Sequence, residues 1–520
     1  MDIMPEVAAY WDPYDRAVCA DPYPAFRRLR EEQPLYYNDK YDFYALSRYD
    51  DMMGAFADNK TFSSARGDIM EQIKANIPVP SGVFIHEDPP IHTMHRSVVT
   101  RVFTPKKMAA LEPRIRAFCA DVLDPLIGTG EFDFVQDLGM EMPMRVIGML
   151  LGIPEQDLQA VRERADASLR TEPGKPMTYE NHDFRGSGFE DYVDWRMKHP
   201  SDDLMTELLT VEFEDQTGTM RRLTRDEVLI YTNILAGAGN ETTNRLIGWT
   251  GKVLGDHPEQ RRQIVENRGL IPQAIEEILR FEPPGPQVAR YVTRDTEYYG
   301  TKVPEGSVMM LLPASGNRDD RKFINGDSFD INRPRVPHIT FGHGFHVCLG
   351  NALARVEGRV ALDEVLNRFP DWEVDIENAE LSSTSTVRGW ETLPTFTNGA
   401  KPTPGRAPRR QARTAPVPAA QHVPGAQKWK IILTTPVGPQ EMTAHLAVHD
   451  GALTGAIESE MGSQDIKGTA NGNRLSWTMD VTKPMPIKLD FEIAVDGDQM
   501  SGNAKLGMFG NAPLIGQRVS

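Results

Sequence analysis

The stretch that most constrains this chain is Phe341-Gly-His-Gly-Phe-His-Val-Cys-Leu-Gly-Asn-Ala-Leu-Ala-Arg-Val-Glu357. Of the cysteines Cys19, Cys119 and Cys348, only the last sits where chemistry is expected, among glycines at 342, 344 and 350. Such a backbone is free to take positive φ and to lie close against a flat object. Downstream, Leu353, Ala354, Val356, Val360 and Leu362 recur at helical spacing and predict a buried helix. The thiol thus precedes a helix start, where unpaired amides and the positive dipole end favour a thiolate.

Most isolated cysteines are small buried hydrophobes. A lone thiolate in a glycine-lined loop also suits a metal cofactor, and haem iron with an axial sulfur is the plainest case. The neighbouring letters decide between the two. Phe341-x-x-Gly344-x-His346-x-Cys348-x-Gly350 resembles the haem-binding loop of the cytochrome P450 family at every defining position, and Leu353-Ala354-Arg355 with Glu357 resembles that family's next helix. The resemblance runs from about Tyr10 to Phe396. It implies a mainly α, helix-rich fold with small β-sheets, and haem b (iron protoporphyrin IX) held by Cys348, with Phe341 and Gly350 beside it.

Taken in order, Asp21 to Glu32 predicts a short amphipathic helix, and Leu35–Tyr37 with Tyr41–Leu46 a small hairpin. Asp50 is expected to cap a further helix, and Phe62 to Asp88 reads as a polar loop. His92 and Arg96, four apart on the helix opened by Pro89-Pro90, share one face. By themselves they read as a solvated face. By resemblance they hold haem propionates together with Arg290 and His346, since partly buried carboxylates need cationic partners. Helices follow at Ala109–Leu126 and Met142–Leu151, and the loop from Arg170 to His182 reads as a lid.

Leu223 to Asp256 is the longest helical candidate, with Thr224 and Glu227 spaced as a capping box. Gly237 and Gly239 inside it cost roughly 1 kcal/mol each against alanine. Close packing explains that; so does a flat cofactor or O2 reaching the backbone at a local break in the hydrogen-bond ladder. Ala238-Gly239-x-Glu241-Thr242 resembles the family's oxygen-activation motif, in which the acid and alcohol hold water and pass protons. Glu277 and Arg280, one turn apart, read as a modest surface pair. The resemblance instead implies a buried pair joined by Arg333, anchoring the cysteine loop. Leu235, Ala238, Gln287, Val288 and Trp390 are expected in a mostly apolar substrate pocket.

The formal net charge of −17 argues against nucleic acid and anionic membrane as partners. No apolar run approaches the roughly 18 residues a membrane helix needs, and three scattered cysteines make no disulfide framework. A cytoplasmic setting without an integral membrane segment is the expectation.

Residues 401–427, rich in Pro, Ala and Arg, read as a linker between a haem domain at 1–400 and a small all-β domain at 428–520. There the periodicity switches to two, and Asp450-Gly451, Asn471-Gly472 and Asp496-Gly497 mark hairpin turns. The module repeats itself: Trp429, Pro436, Gly451, Gly455 and Met461 are echoed by Trp477, Pro484, Gly497, Gly502 and Met508. Two units of three or four strands predict an antiparallel barrel or sandwich, which the P450 resemblance does not cover. Its bare composition suits a docking or solubility module.

By resemblance the activity is monooxygenation of a medium-sized lipophilic molecule with O2, Glu241 and Thr242 steering protons. No flavin or nicotinamide signature is present, so a ferredoxin or flavodoxin type donor with its reductase is expected, docking on a face made basic by Arg101, Lys106, Lys107, Arg355 and Arg359. A peroxide-driven peroxygenase needs no acid–alcohol pair, and a haem sensor or electron carrier needs no lid.

Overall fold

A computed structural model describes residues 9–178, 188–382, 386–397, 427–435, 438–449, 451–459, 462–481, 487–506 and 511–519. The expected linker at 401–427 and the end of the expected lid loop lie outside these, save Gln427. The chain divides into two compact units, Met1–Arg409 and Arg410–Ser520.

Five helices of the first unit carry the site: α1 (Ile91–Thr100), α2 (Met142–Leu151), α3 (Arg225–Asp256), α4 (Ile271–Phe281) and α5 (Asn351–Arg368). At 32 residues, α3 is about 48 Å long. Its start is the capping box read from the sequence: Glu227 N–H donates to Thr224 Oγ1 at 3.2 Å, and Thr224 N–H to Glu227 Oε2 at 2.7 Å. Buried residues line most of its circumference, so it runs through the core with α2, α4 and α5 packed on it. The expected break is absent; α3 is continuous α-helix. Its glycines answer to space instead. A Cβ on Gly239 would stand 3.3 Å from Ile147 of α2, and one on Gly237 would meet nothing within 4 Å.

A five-stranded sheet, in the order β1-β2-β5-β4-β3, comprises β1 (Leu35–Asn38), β2 (Phe43–Leu46), β3 (Phe62–Ser63), β4 (Val288–Val292) and β5 (Val308–Leu311). β2 and β5 run parallel and the other pairs antiparallel. Two expectations fail locally. The helix Tyr49–Ala57 has Asp50 in its first turn, not at its cap; Asp319 supplies the missing acceptor, taking Tyr49 N–H at 3.0 Å. The stretch from Phe62 to Asp88 holds β3, a helix at Met70–Ala75 and a 3-10 turn at Phe84–His86.

The second unit is a closed antiparallel barrel of eight strands: β6 (Gln427–Thr435), β7 (Gly438–His449), β8 (Ala452–Ser459), β9 (Gly462–Asn471), β10 (Arg474–Val481), β11 (Ile487–Asp496), β12 (Gln499–Leu506) and β13 (Asn511–Arg518). Each internal repeat contributes four strands. Pairing of Trp429 with Arg518 and Leu433 with Leu514 closes the ring and decides for barrel over sandwich. Trp429, Ile431 and Leu433 point inward while Lys430 and Ile432 face out, and Trp477 stacks on Phe491 at 4.8 Å inside. The turn glycines 451, 472 and 497 all have positive φ, as two-residue hairpins require.

Candidate active site

The loop before α5 is shaped by its glycines. Gly344 has φ +72°, and a Cβ there would stand 2.6 Å from the Phe56 carbonyl oxygen, so no larger residue fits. Gly350 differs from expectation: at φ −80° it is the ordinary N-cap of α5, and its Cβ position faces open space. Cys348 N–H donates to Phe341 O at 2.8 Å and folds the loop back on itself. The Cys348 side chain is exposed, yet surrounding protein desolvates the thiol and pushes its pKa up. Amides of Gly350 and Asn351 and the guanidiniums of Arg96 and Arg355 pull the other way. A sulfur both accessible and desolvated lies in a hollow, at a helix start that favours the thiolate.

Two histidines and two arginines gather beside it. His92 on α1 is 1% exposed, and neither ring nitrogen has a partner. The His346 ring lies 4.1 Å from it, also with an orphaned Nε2. Arg290 on β4 is buried, giving Nη1 only to its neighbour Ala289 O, and burial lowers its pKa. Arg96 donates to Val347 O next to the cysteine. Burial, then the Arg96 charge, holds His92 down at about 4. Burial, His92, Arg290 and Arg96 hold His346 down at about 3. Asp68, bound to His86 at 3.1 Å, is a carboxylate facing this cluster that sequence reasoning missed, because it sits in the stretch taken for a plain loop. Orphaned, desolvated donors of this kind fit two acidic side groups on a flat ligand whose face meets Gly350. Haem with its propionates meets both requirements.

On α3, Ala238 and Thr242 are exposed and, being one turn apart, share a face, with Gly237 and Gly239 half-buried and Asn240, Glu241 and Thr243 buried. Thr242 Oγ1 donates to Ala238 O at 2.9 Å. Glu241 is 4% exposed and turned aside, in an ion pair with Arg245 that sequence reasoning missed. Gln287 and Val288 are half-buried at the start of β4. Leu235 and Trp390, also expected at the pocket, are buried among core side chains, with Trp390 set edge-on against Trp249 at 5.5 Å.

The expected network is brought together and buried. Glu277 accepts from Arg280 at 2.7 and 2.8 Å, from Arg333 Nε at 3.0 Å and from Asp330 N–H at 3.0 Å. Arg280 further binds the carbonyls of Asn317, Gly326 and Ser328, tying down the chain that leads to the cysteine loop. Half-buried Phe341 lies 4.5 Å under the Arg355 guanidinium, whose Nε binds Glu276 at 2.6 Å. Arg355 is therefore not a free cation for a docking face.

Among the described residues no helix is long and apolar enough to cross a membrane. The family model Cytochrome P450 matches residues 188–392. A Mycobacterium tuberculosis protein named cytochrome P450 123 is 36% identical over 391 residues, 74% of this chain and 96% of its own. The cyclomarin C epoxidase CymV of Salinispora arenicola is 34% identical over 71% of this chain and 93% of its own. The crystal structure of HmtN, a post-tailoring hydroxylase involved in himastatin biosynthesis, superposes with TM-score 0.63 at 31% identity, over 72% of this chain and 95% of that one. With this site and these relatives, the chain belongs to the cytochrome P450 family of haem-thiolate monooxygenases.

Proposed function

We propose that residues 1–400 form a haem b domain in which Cys348 would hold the iron through its sulfur, Phe341 and Gly350 would lie against the cofactor, and His92, Arg96, Arg290 and His346 would bind its propionates. The observation that carries this is the orphaned pair of buried imidazoles beside an accessible, desolvated thiol. When bound, a thiolate-ligated haem supplies cleavage of the O–O bond and insertion of one oxygen atom into an organic substrate. Thr242 presents its hydroxyl to the hollow and hands on protons there, and Glu241 behind it resupplies them. Ala238, Gln287 and Val288 would line the substrate pocket, and two apolar side chains of the three support a medium-sized lipophilic substrate. The Glu277–Arg280–Arg333 network anchors the loop.

Electrons come from a ferredoxin or flavodoxin type donor with its reductase, docking beside Arg101, Lys106, Lys107 and Arg359, in the cytoplasm. The barrel at 428–520, beyond a linker at 401–427, is a docking or solubility module. Titrating the ferric protein with lipophilic compounds tests the pocket: binding should shift the haem band. Thr242→Ala should keep consuming reductant while forming at least about tenfold less product with any compound so found. Unchanged coupling would remove the proton role.

A further inference from the structure

A closed barrel has no free strand edge, so a partner must meet its outer wall. From β8, β9 and β10 that wall presents Thr454, Lys467, Thr469, Ser476 and Thr478 to solvent. Among the described residues of the barrel four large apolar side chains are exposed, Ile432, Val448, Ile515 and Val519. Three of them cluster, on β6, on β13 and directly after β13.

Strand register orders the neighbours of this cluster. Ile432 pairs with Ile515, Ile515 with Ser501 of β12, and Ser501 with Ala494 of β11. Two residues along the strands, Lys430 pairs with Gln517, Gln517 with Gln499, and Gln499 with Asp496. All eight are exposed, so both rows lie on the outer face.

Both rows change character at one boundary, between β13 and β12. On one side stand two isoleucines and a lysine; on the other stand a serine, an alanine and an aspartate. A twofold axis lying in the wall along that boundary sets β13 against β12 of a second copy, and β6 against its β11. Ile515 then faces a serine, Ile432 an alanine, Lys430 an aspartate, and Gln517 a glutamine with which it can exchange hydrogen bonds. Large meets small and cation meets anion, which is the self-complementarity an isologous interface requires. The wall curves away at β6 and β11, and there the long Lys430 stem spans the wider gap. A face built for an unrelated protein has no need to match itself.

Resting on the docking role given to the barrel above, we propose that its partner is a second copy of this chain. The barrels form a symmetric dimer through the wall β6-β13-β12-β11, with Ile432 and Ile515 as its apolar contacts and a Lys430–Asp496 pair at each margin. Two copies of the first unit are thereby held in one assembly.

The test is sedimentation velocity on the full-length, haem-loaded protein over a roughly hundredfold range of concentration. The parent should sediment as a dimer that dissociates on dilution. Ile515→Asp should raise the dissociation constant at least about a hundredfold. The barrel's thermal transition should hold, because Ile515 is 59% exposed. Lys430→Asp and Asp496→Lys should each weaken the dimer at least about tenfold by setting like charges face to face, and the double exchange should restore it. Within one barrel the two positions lie three strand spacings apart, about 14 Å, so that rescue can only arise between copies. A dimer that all three single substitutions leave intact has its interface elsewhere, which overturns the proposal and spares the docking role. A parent that is monomeric at every concentration overturns the proposal and reduces the barrel to its solubility role.

Discussion

The rings of His92 and His346 lie 4.1 Å apart, centroid to centroid, with their planes tilted by 40°. Two imidazoles pressed together next to Arg96 and Arg290 stay neutral in the haem-free chain, because burial and those guanidiniums resist protonation. The arrangement makes sense for a site that expects anions.

A pH dependence follows for the haem-free protein. His92 in the unfolded chain takes its proton near the ordinary value of 6.5, but in the folded chain it resists down to about 4. The unfolded state therefore binds more protons across that window, and stability is lost as pH falls through it, by up to about 1.4 kcal/mol per unit. Thermal melts of His92→Asn between pH 7 and pH 4.5 should show a shallower acid-side decline than the parent protein. Parallel declines would remove His92 from the account.

Gly344 and Gly350 should respond in opposite ways. Gly344→Ala combines a positive φ with a contact on Phe56 O, so it should destabilise the haem-free fold by about 2 kcal/mol or more. Gly350→Ala sits at an ordinary N-cap facing open space and should cost under about 1 kcal/mol. Its effect should appear in hemin titration as weakened uptake. Equal uptake would mean that the cofactor does not pass over Gly350.

Glu277→Gln leaves Arg280, 2% exposed, without its carboxylate. Urea unfolding should show a loss of about 3–5 kcal/mol, with haem retention falling as the segment 317–333 loosens. A loss below about 1 kcal/mol would class the pair as peripheral.

The barrel should melt by itself. Trp429, 1% exposed, is a main interior side chain, and Trp429→Ala should lower the barrel's unfolding transition by about 3–5 kcal/mol. Haem absorbance should be retained to the same temperature. The Mycobacterium tuberculosis relative, matched over 96% of its own length, corresponds to 74% of this chain. Loss of haem uptake together with the barrel transition would contradict that separation.

What could be read from the letters was what is local. The Thr224–Glu227 cap is set within a few residues and forms as expected, as does the helix after the cysteine loop, with Gly350 at an ordinary N-cap φ instead of a positive one. Long-range pairing was invisible. Asp319 caps the helix at Tyr49 across the fold, and nothing near Asp50 announces it. Arg245 is buried by Gly389 and Trp390, which lie far from it in the chain. Trp390 is drawn into the core by Trp249, a partner no spacing rule could nominate. The choice of barrel over sandwich turned on Trp429 meeting Arg518, a closure with no local signal.

The central claim is that the Cys348 sulfur holds the haem iron. The most direct measurement is the absorption spectrum of the dithionite-reduced protein under carbon monoxide, for the parent and for Cys348→Ser. The parent should show the red-shifted band diagnostic of thiolate ligation, and the variant should lose it while the fold persists by circular dichroism. A variant that kept the band, or a parent that never showed it after hemin loading, would contradict the account.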